Sequence, residues 1–200
     1  MSQRRPKRLY LVGGASGSGK STTAKLLARE LEAGWLQVDT IWVAFQEALL
    51  TDEAATHLLR VDARIFHSDD TVEELLDHQI AAGRFIGSRL VRVFWTELQK
   101  HDTVVADGAW LLPELAASLK VEGAEVRAAF LHESDEAAVR STLDGRRIVK
   151  TPTPWHPRVA AVNWAYGNWL ASEAEKFGLP VVAAQPRETL VERLRHALEG

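Results

Sequence analysis

Apolar residues are distributed along this chain in two alternating patterns. Short continuous runs occur at Leu9-Tyr10-Leu11-Val12, Trp35-Leu36-Gln37-Val38, Thr103-Val104-Val105-Ala106-Asp107, Val126–Leu131 and Leu179–Ala184. Runs of this length and character predict strands buried on both faces of a parallel sheet. Pro180 falls near the start of the last run, where a missing amide donor is tolerated. Between the runs, apolar residues recur at helical spacing. Ala24, Leu27, Ala28 and Leu31 form one stripe, and Ile41, Phe45 and Leu49 a second within residues 40–50. Leu75, Leu76 and Ile80 form a third, and Leu190, Val191, Leu194 and Leu198 close the chain. Further helices are predicted over 88–100, 135–143 and 158–177.

Punctuation refines this picture. Ser68-Asp69-Asp70-Thr71, followed by Glu73 and Glu74, predicts a helix start with acids complementing the dipole. Gly83 and Gly87 predict a break, or a close packing contact between that helix and the one over 88–100. Residues 51–70 form a polar stretch bearing His and Arg, and Thr151–Pro157 a proline-punctuated loop. Strands alternating with helices imply βαβ units. The predicted fold is an α/β, three-layer domain with a parallel sheet covered by helices on both faces.

Composition narrows the class. The chain has 200 residues, 46% of them hydrophobic, enough for one domain over 1–200 plus an excursion. A formal net charge of −3 provides no global basic field, so no nucleic-acid partner is expected. Arg4, Arg5, Lys7 and Arg8 form a basic lead-in without the apolar region of a signal peptide, and no run reaches membrane-spanning length. A cytoplasmic enzyme with no membrane partner is the expectation. Absence of cysteine excludes disulfides, Cys-ligated zinc and a thiol nucleophile. The seven histidines lack metal-ligand spacing, so none is assigned to a metal.

Candidate chemistry centres on Gly14-Ala15-Ser16-Gly17-Ser18-Gly19-Lys20-Ser21, which matches the phosphate-binding pattern G-x-x-x-x-G-K-[ST]. Glycines let the backbone turn its N–H groups inward around phosphate oxygens. Lys20 is placed to reach the β- and γ-phosphates, and the Ser21 hydroxyl to ligate Mg²⁺. A helix opening at about Gly19 adds its positive end. The apolar run before this loop and the helical stripe after it supply the strand–loop–helix context that the motif requires.

Two acids follow predicted strands, at the end of the sheet where ligands gather. Asp107 is placed to hold Mg²⁺ through water, and Asp39 to accept a proton from an attacking hydroxyl or to orient it. The alternatives are a helix cap for Asp39 and a turn, with Gly108, for Asp107. Arg146 and Arg147, with Lys150, lie on a predicted lid over about 144–157, where cations can close on a moving phosphate; a solvated basic loop is the alternative. Arg140 can pair with Glu136 instead. Trp164, Tyr166 and Trp169 read as core, and the same reading extends to Trp42, Trp95, Trp110 and Trp155. Arg60, Arg64, Arg84, Arg89 and Arg92 suit either an anionic acceptor or a charged surface.

Gly13–Thr22 resembles the loop of P-loop small-molecule kinases such as uridine, gluconate and adenylylsulfate kinases. The layout is similar along nearly the whole chain: an Asp after strand two, a helical substrate-binding excursion over about 40–100, and an arginine lid before a long helix and last strand. Val105–Pro113 and Glu173–Val182 are similar to segments of 2-phosphoglycerate-kinase-like proteins, where Glu commonly replaces Asp107. The resemblance implies strand order 2-3-1-4-5, as in nucleoside kinases. It also implies ATP and Mg²⁺ bound along Gly14–Thr22, and a small hydroxyl compound as acceptor: a phosphoglycerate, a nucleoside or a sugar acid. The competing reading is a nucleotide-driven ATPase or switch. Against it stand the missing Asn-Lys-x-Asp and Leu-Ser-Gly-Gly-Gln motifs and a length short for an AAA-type module.

Overall fold

The computed structural model describes residues 6–49, 51–145 and 157–200. Five strands form the sheet: β1 (Lys7–Gly13), β2 (Gly34–Gln37), β3 (Thr103–Gly108), β4 (Ala124–His132) and β5 (Val181–Ala183). All neighbours pair in parallel, in the order β2-β3-β1-β4-β5. That is the predicted order. Its register aligns Val12 and Gln37 with Asp107, so three strand ends meet at one level.

Side-chain alternation on the strands builds two cores. Leu9, Leu11, Val104, Ala106, Ala128 and Phe130 face one layer, against α5 (Val72–Lys100) and α8 (Pro157–Lys176). Tyr10, Val12, Val105, Ala129 and Leu131 face the other, against α1 (Lys20–Glu30) and α9 (Leu190–Glu199). Phe94 of α5 and Tyr166 of α8 are among the largest fully buried side chains. Truncating one such core aromatic costs about 3–5 kcal/mol.

Three local expectations need correction. Helix α5 runs unbroken for 29 residues through Gly83 and Gly87. A Cβ on Gly83 would lie 3.0 Å from the Leu112 side chain, and one on Gly87 3.2 Å from that of Leu115. These glycines admit the segment leading into α6 (Pro113–Ser118), and the stretch over 88–100 is simply the second half of the same helix. The local cost of about 1 kcal/mol per glycine is small against the burial of a long apolar face. Its start is as predicted: Thr71 and Glu74 cap it reciprocally, the Glu74 amide donating to Thr71 Oγ1 at 3.2 Å.

The polar stretch over 51–70 holds two short helices, α3 (Glu53–Leu59) and α4 (Val61–His67). Each has seven residues, too few for a periodic pattern to register, although Asp52 caps α3 by accepting from the Ala55 amide at 3.0 Å. Strand β2 ends at Gln37, so Asp39 lies in the first turn of α2 (Val38–Ala48) and not at a strand terminus. Helix α7 (Glu136–Gly145) precedes the predicted lid, whose Arg146, Arg147 and Lys150 fall outside the described residues. Among the described residues, no helix is long and apolar enough to cross a membrane.

Candidate active site

The loop between β1 and α1 takes the conformation its glycines permit. Gly14, Gly17 and Gly19 have φ of 142°, 95° and 85°, a region that side chains strain. At Gly14 a Cβ would also lie 2.7 Å from the Leu131 carbonyl oxygen. Gly19 occupies the N-cap of α1, so the positive end of that helix opens onto the loop. Ser18 is buried, and its Oγ has no hydrogen-bond partner. A glycine-rich turn at a helix N-terminus with an unsatisfied buried hydroxyl fits a phosphate chain.

Lys20 is 2% exposed, the first residue of α1, and its Nζ lies 3.6 Å from Asp39 Oδ2. Asp39 does not cap α2. Gln37 holds the N-cap position, and Asp39 Oδ1 instead accepts from the Ala109 amide at 3.0 Å. That bond ties α2 to the chain just after β3.

Asp107 is fully buried in β3, which removes the turn alternative. Its Oδ2 accepts from Ser21 Oγ at 2.6 Å and its Oδ1 from the Trp35 indole N–H at 2.7 Å. Burial pushes its carboxyl above the usual carboxylate range, and the bonds from Ser21 and Trp35 pull it part of the way back. A cation at Ser21 and Asp107 would offset that burial. The pair therefore fits Mg²⁺ by donor chemistry, as two oxygens beside a phosphate loop.

Two supports escaped the sequence reading. Arg187, just before α9, donates to the carbonyls of Ser18 and Gly17, the latter at 3.1 Å, and pairs with the buried Glu133 at 3.3 Å. Gln185 Nε2 also donates to Glu133, at 2.8 Å. Asn163 on α8 accepts from the Ser16 amide at 3.2 Å and donates to the Val159 carbonyl at 2.8 Å. No spacing signals either contact, because the partners lie 169 and 147 residues apart.

Beside the loop is a cavity of about 240 Å³. Ser16 and Asp39 line it on the loop side, Asn163 and Val159 on α8, and Gln79 on α5. Trp42 and Trp110 also line it, stacked with ring centroids 3.8 Å apart and planes within 13°. They are buried, as the core reading expected, yet they also form a wall. Tyr166 is core as well, its hydroxyl donating to the Ala109 carbonyl at 2.7 Å.

None of the five candidate anion-binding arginines lines this cavity. Arg64 bonds Asp70 and His78, Arg84 pairs with Glu114 at 2.8 Å, and Arg89 donates to the Phe85 carbonyl. Arg140 lies 3.9 Å from Glu136, an exposed pair of little energetic weight. Among the described residues, no group of three or more His, Cys, Asp or Glu gathers as a metal site.

No model of a known protein family matches the chain, and no curated protein matches it in sequence. Solved structures match it over nearly their whole length. A sugar kinase from Janibacter sp. HTCC2649 is 20% identical, with 97% of this chain and 95% of that one covered and a TM-score of 0.51. The protein TT1252 from Thermus thermophilus is 18% identical, with 97% and 96% covered and a TM-score of 0.52. The likeness is one of fold. The narrower resemblance to 2-phosphoglycerate-kinase-like proteins finds no support among these structures.

Proposed function

We propose that this protein is an ATP-dependent phosphotransferase that transfers the γ-phosphoryl group to a hydroxyl of a small molecule. One observation carries the reading: Asp39 lies 3.6 Å from the P-loop lysine and also lines the adjacent cavity. A carboxylate shared between a phosphate site and a second pocket suits a reaction joining the two. A pure hydrolase or switch has no need of that second pocket.

In this reading Gly14–Thr22 wrap the phosphates, with Lys20 along the β- and γ-phosphates. Ser21 and Asp107 would hold Mg²⁺, which when bound would neutralise phosphate charge. The acceptor hydroxyl in the cavity attacks the γ-phosphorus, the bond to the β–γ bridging oxygen breaks, and ADP departs. The hydroxyl proton passes to Asp39, which the Ala109 amide holds in position. Residues of about 40–100 form the acceptor side. Residues of about 144–157 form a lid whose Arg146 and Arg147 close on the transferring group.

Measurement of ADP release by the purified full chain, with and without a pool of small hydroxyl compounds, tests the proposal. Acceptor-dependent ADP with a matching phosphorylated product is expected. Slow ATP hydrolysis that no acceptor changes would overturn it in favour of the switch.

A further inference from the structure

We propose that the acceptor is a small uncharged ring compound whose edge offers a hydrogen-bond donor to Gln79, a description that a nucleoside meets. The inference rests on the kinase reading and specifies the substrate class of the same site.

Charge is the first argument. Among the described residues lining the cavity, Asp39 is the only charged one. An acceptor carrying a phosphate or carboxylate would meet that negative charge at close range. Lys20, the first residue of α1, is paired with Asp39. Arg64, Arg84 and Arg89 of the helical excursion are engaged elsewhere, on Asp70, His78, Glu114 and a backbone carbonyl, and neither Arg60 nor Arg92 lines the cavity. Anion-binding sites are built from forked, convergent donors, and none of these arginines lines the cavity.

The second argument is an unpaired group. Gln79 is 5% exposed, lines the cavity, and its Oε1 has no hydrogen-bond partner. A buried acceptor without a donor is costly unless something else supplies one. The other cavity carboxamide is already satisfied: Asn163 Oδ1 takes the Ser16 amide and its Nδ2 reaches Val159. Gln79 is therefore the carboxamide left to read a ligand.

Shape is the third. The stacked Trp42–Trp110 pair, with Val61 and Ile65, gives the cavity an aromatic and apolar lining. Aromatic walls favour planar rings, by offset stacking or edge-on contact. At about 240 Å³ the space lies below the ~300 Å³ at which drug-sized pockets begin, so the ring compound is small.

The test uses the full chain and five probes: uridine, cytidine, adenosine, gluconate and 2-phosphoglycerate. Binding is followed by calorimetry with a non-hydrolysable ATP analogue present, and phosphoryl transfer by product analysis with MgATP. At least one nucleoside should bind saturably and be phosphorylated, while both anions do neither. Gln79→Leu should raise KM for that nucleoside at least tenfold and change kcat and KM for ATP little. Its melting temperature without ligand should hold or rise, since an unsatisfied buried acceptor is removed. Transfer to an anion with the nucleosides inert overturns the inference and leaves the kinase reading standing. Failure of all three nucleosides to bind also overturns it. Saturable, Gln79-dependent nucleoside binding without transfer keeps the ligand class and overturns the kinase reading instead.

Discussion

The two halves of the candidate site are built on opposite principles. The phosphate side is one contiguous loop between β1 and α1, and most of its geometry follows from glycines that admit positive φ. The acceptor side is assembled from α2, α4, α5, the segment after β3, α7 and α8, with no two neighbouring residues sufficient to define it. Asp39 and Asn163 join the halves, one through Lys20 and the other through the Ser16 amide. A local loop can be carried between proteins as a motif, whereas a cavity made of distant residues changes with each substrate. The phosphate side should therefore tolerate almost no substitution, and the acceptor side should trade specificity before it loses catalysis.

The sharpest way to break this contrast is Lys20→Ala. On the phosphate side it should lower turnover by orders of magnitude, roughly 10³-fold or more, with a folded protein by circular dichroism. Unchanged kcat in that variant would remove the loop from the chemistry. Asp39→Asn, at the junction, should cut kcat by about 10²–10⁴-fold while nucleotide binding measured by calorimetry changes little. Full activity with a lowered melting temperature would reduce Asp39 to a tether for Ala109.

Behind the loop, Arg187→Ala strips a partner from the buried Glu133 and donors from two loop carbonyls. A loss of about 1–3 kcal/mol in urea unfolding is expected, tempered because Arg187 is partly exposed and Gln185 remains on Glu133. Stability unchanged by this substitution would make the contact incidental.

The smallest effect belongs to His78, beside Gln79 on the acceptor side. Its Nδ1 meets the Arg64 guanidinium at 2.7 Å and therefore accepts, as only the neutral ring can. Burial first, then Arg64 and His57, lower its pKa below the ordinary 6.5. A lowered folded value means the unfolded chain binds the proton more readily. The stabilisation is thus complete above pH 6.5 and fades as pH falls through the lower folded value. Melting curves should show a shallow decline from pH 7 to pH 5 that His78→Gln partly flattens.

Local signals were read correctly for most of the elements that neighbours in sequence decide. The strands, the α5 capping box and the P-loop all depend on residues a few positions apart. Gly83 and Gly87 show where that logic fails: each carries a local helix cost, yet Leu112 and Leu115 pack into the space they leave. The two helices over 51–70 escaped because seven residues hold too few turns to show a period. Trp42 and Trp110 are core, as read, whereas Trp95, read the same way, is exposed; nothing along the chain revealed that the stacked rings of the first two also line a cavity.

The positions of the strands and of the glycine-rich loop were legible in the sequence itself, because buried strands need apolar runs and a tight loop needs glycine at fixed spacing, whereas the strand order followed from the resemblance to small-molecule kinases. The roles open to Asp39 were narrowed only by tertiary structure, which set it against Lys20 and Ala109 and left the N-cap to Gln37. Arg187, Asn163 and Gln79 gained their places in the same way. A polar side chain acquires its function from the burial and the partners that distant segments bring to it, and those depend on how whole helices pack.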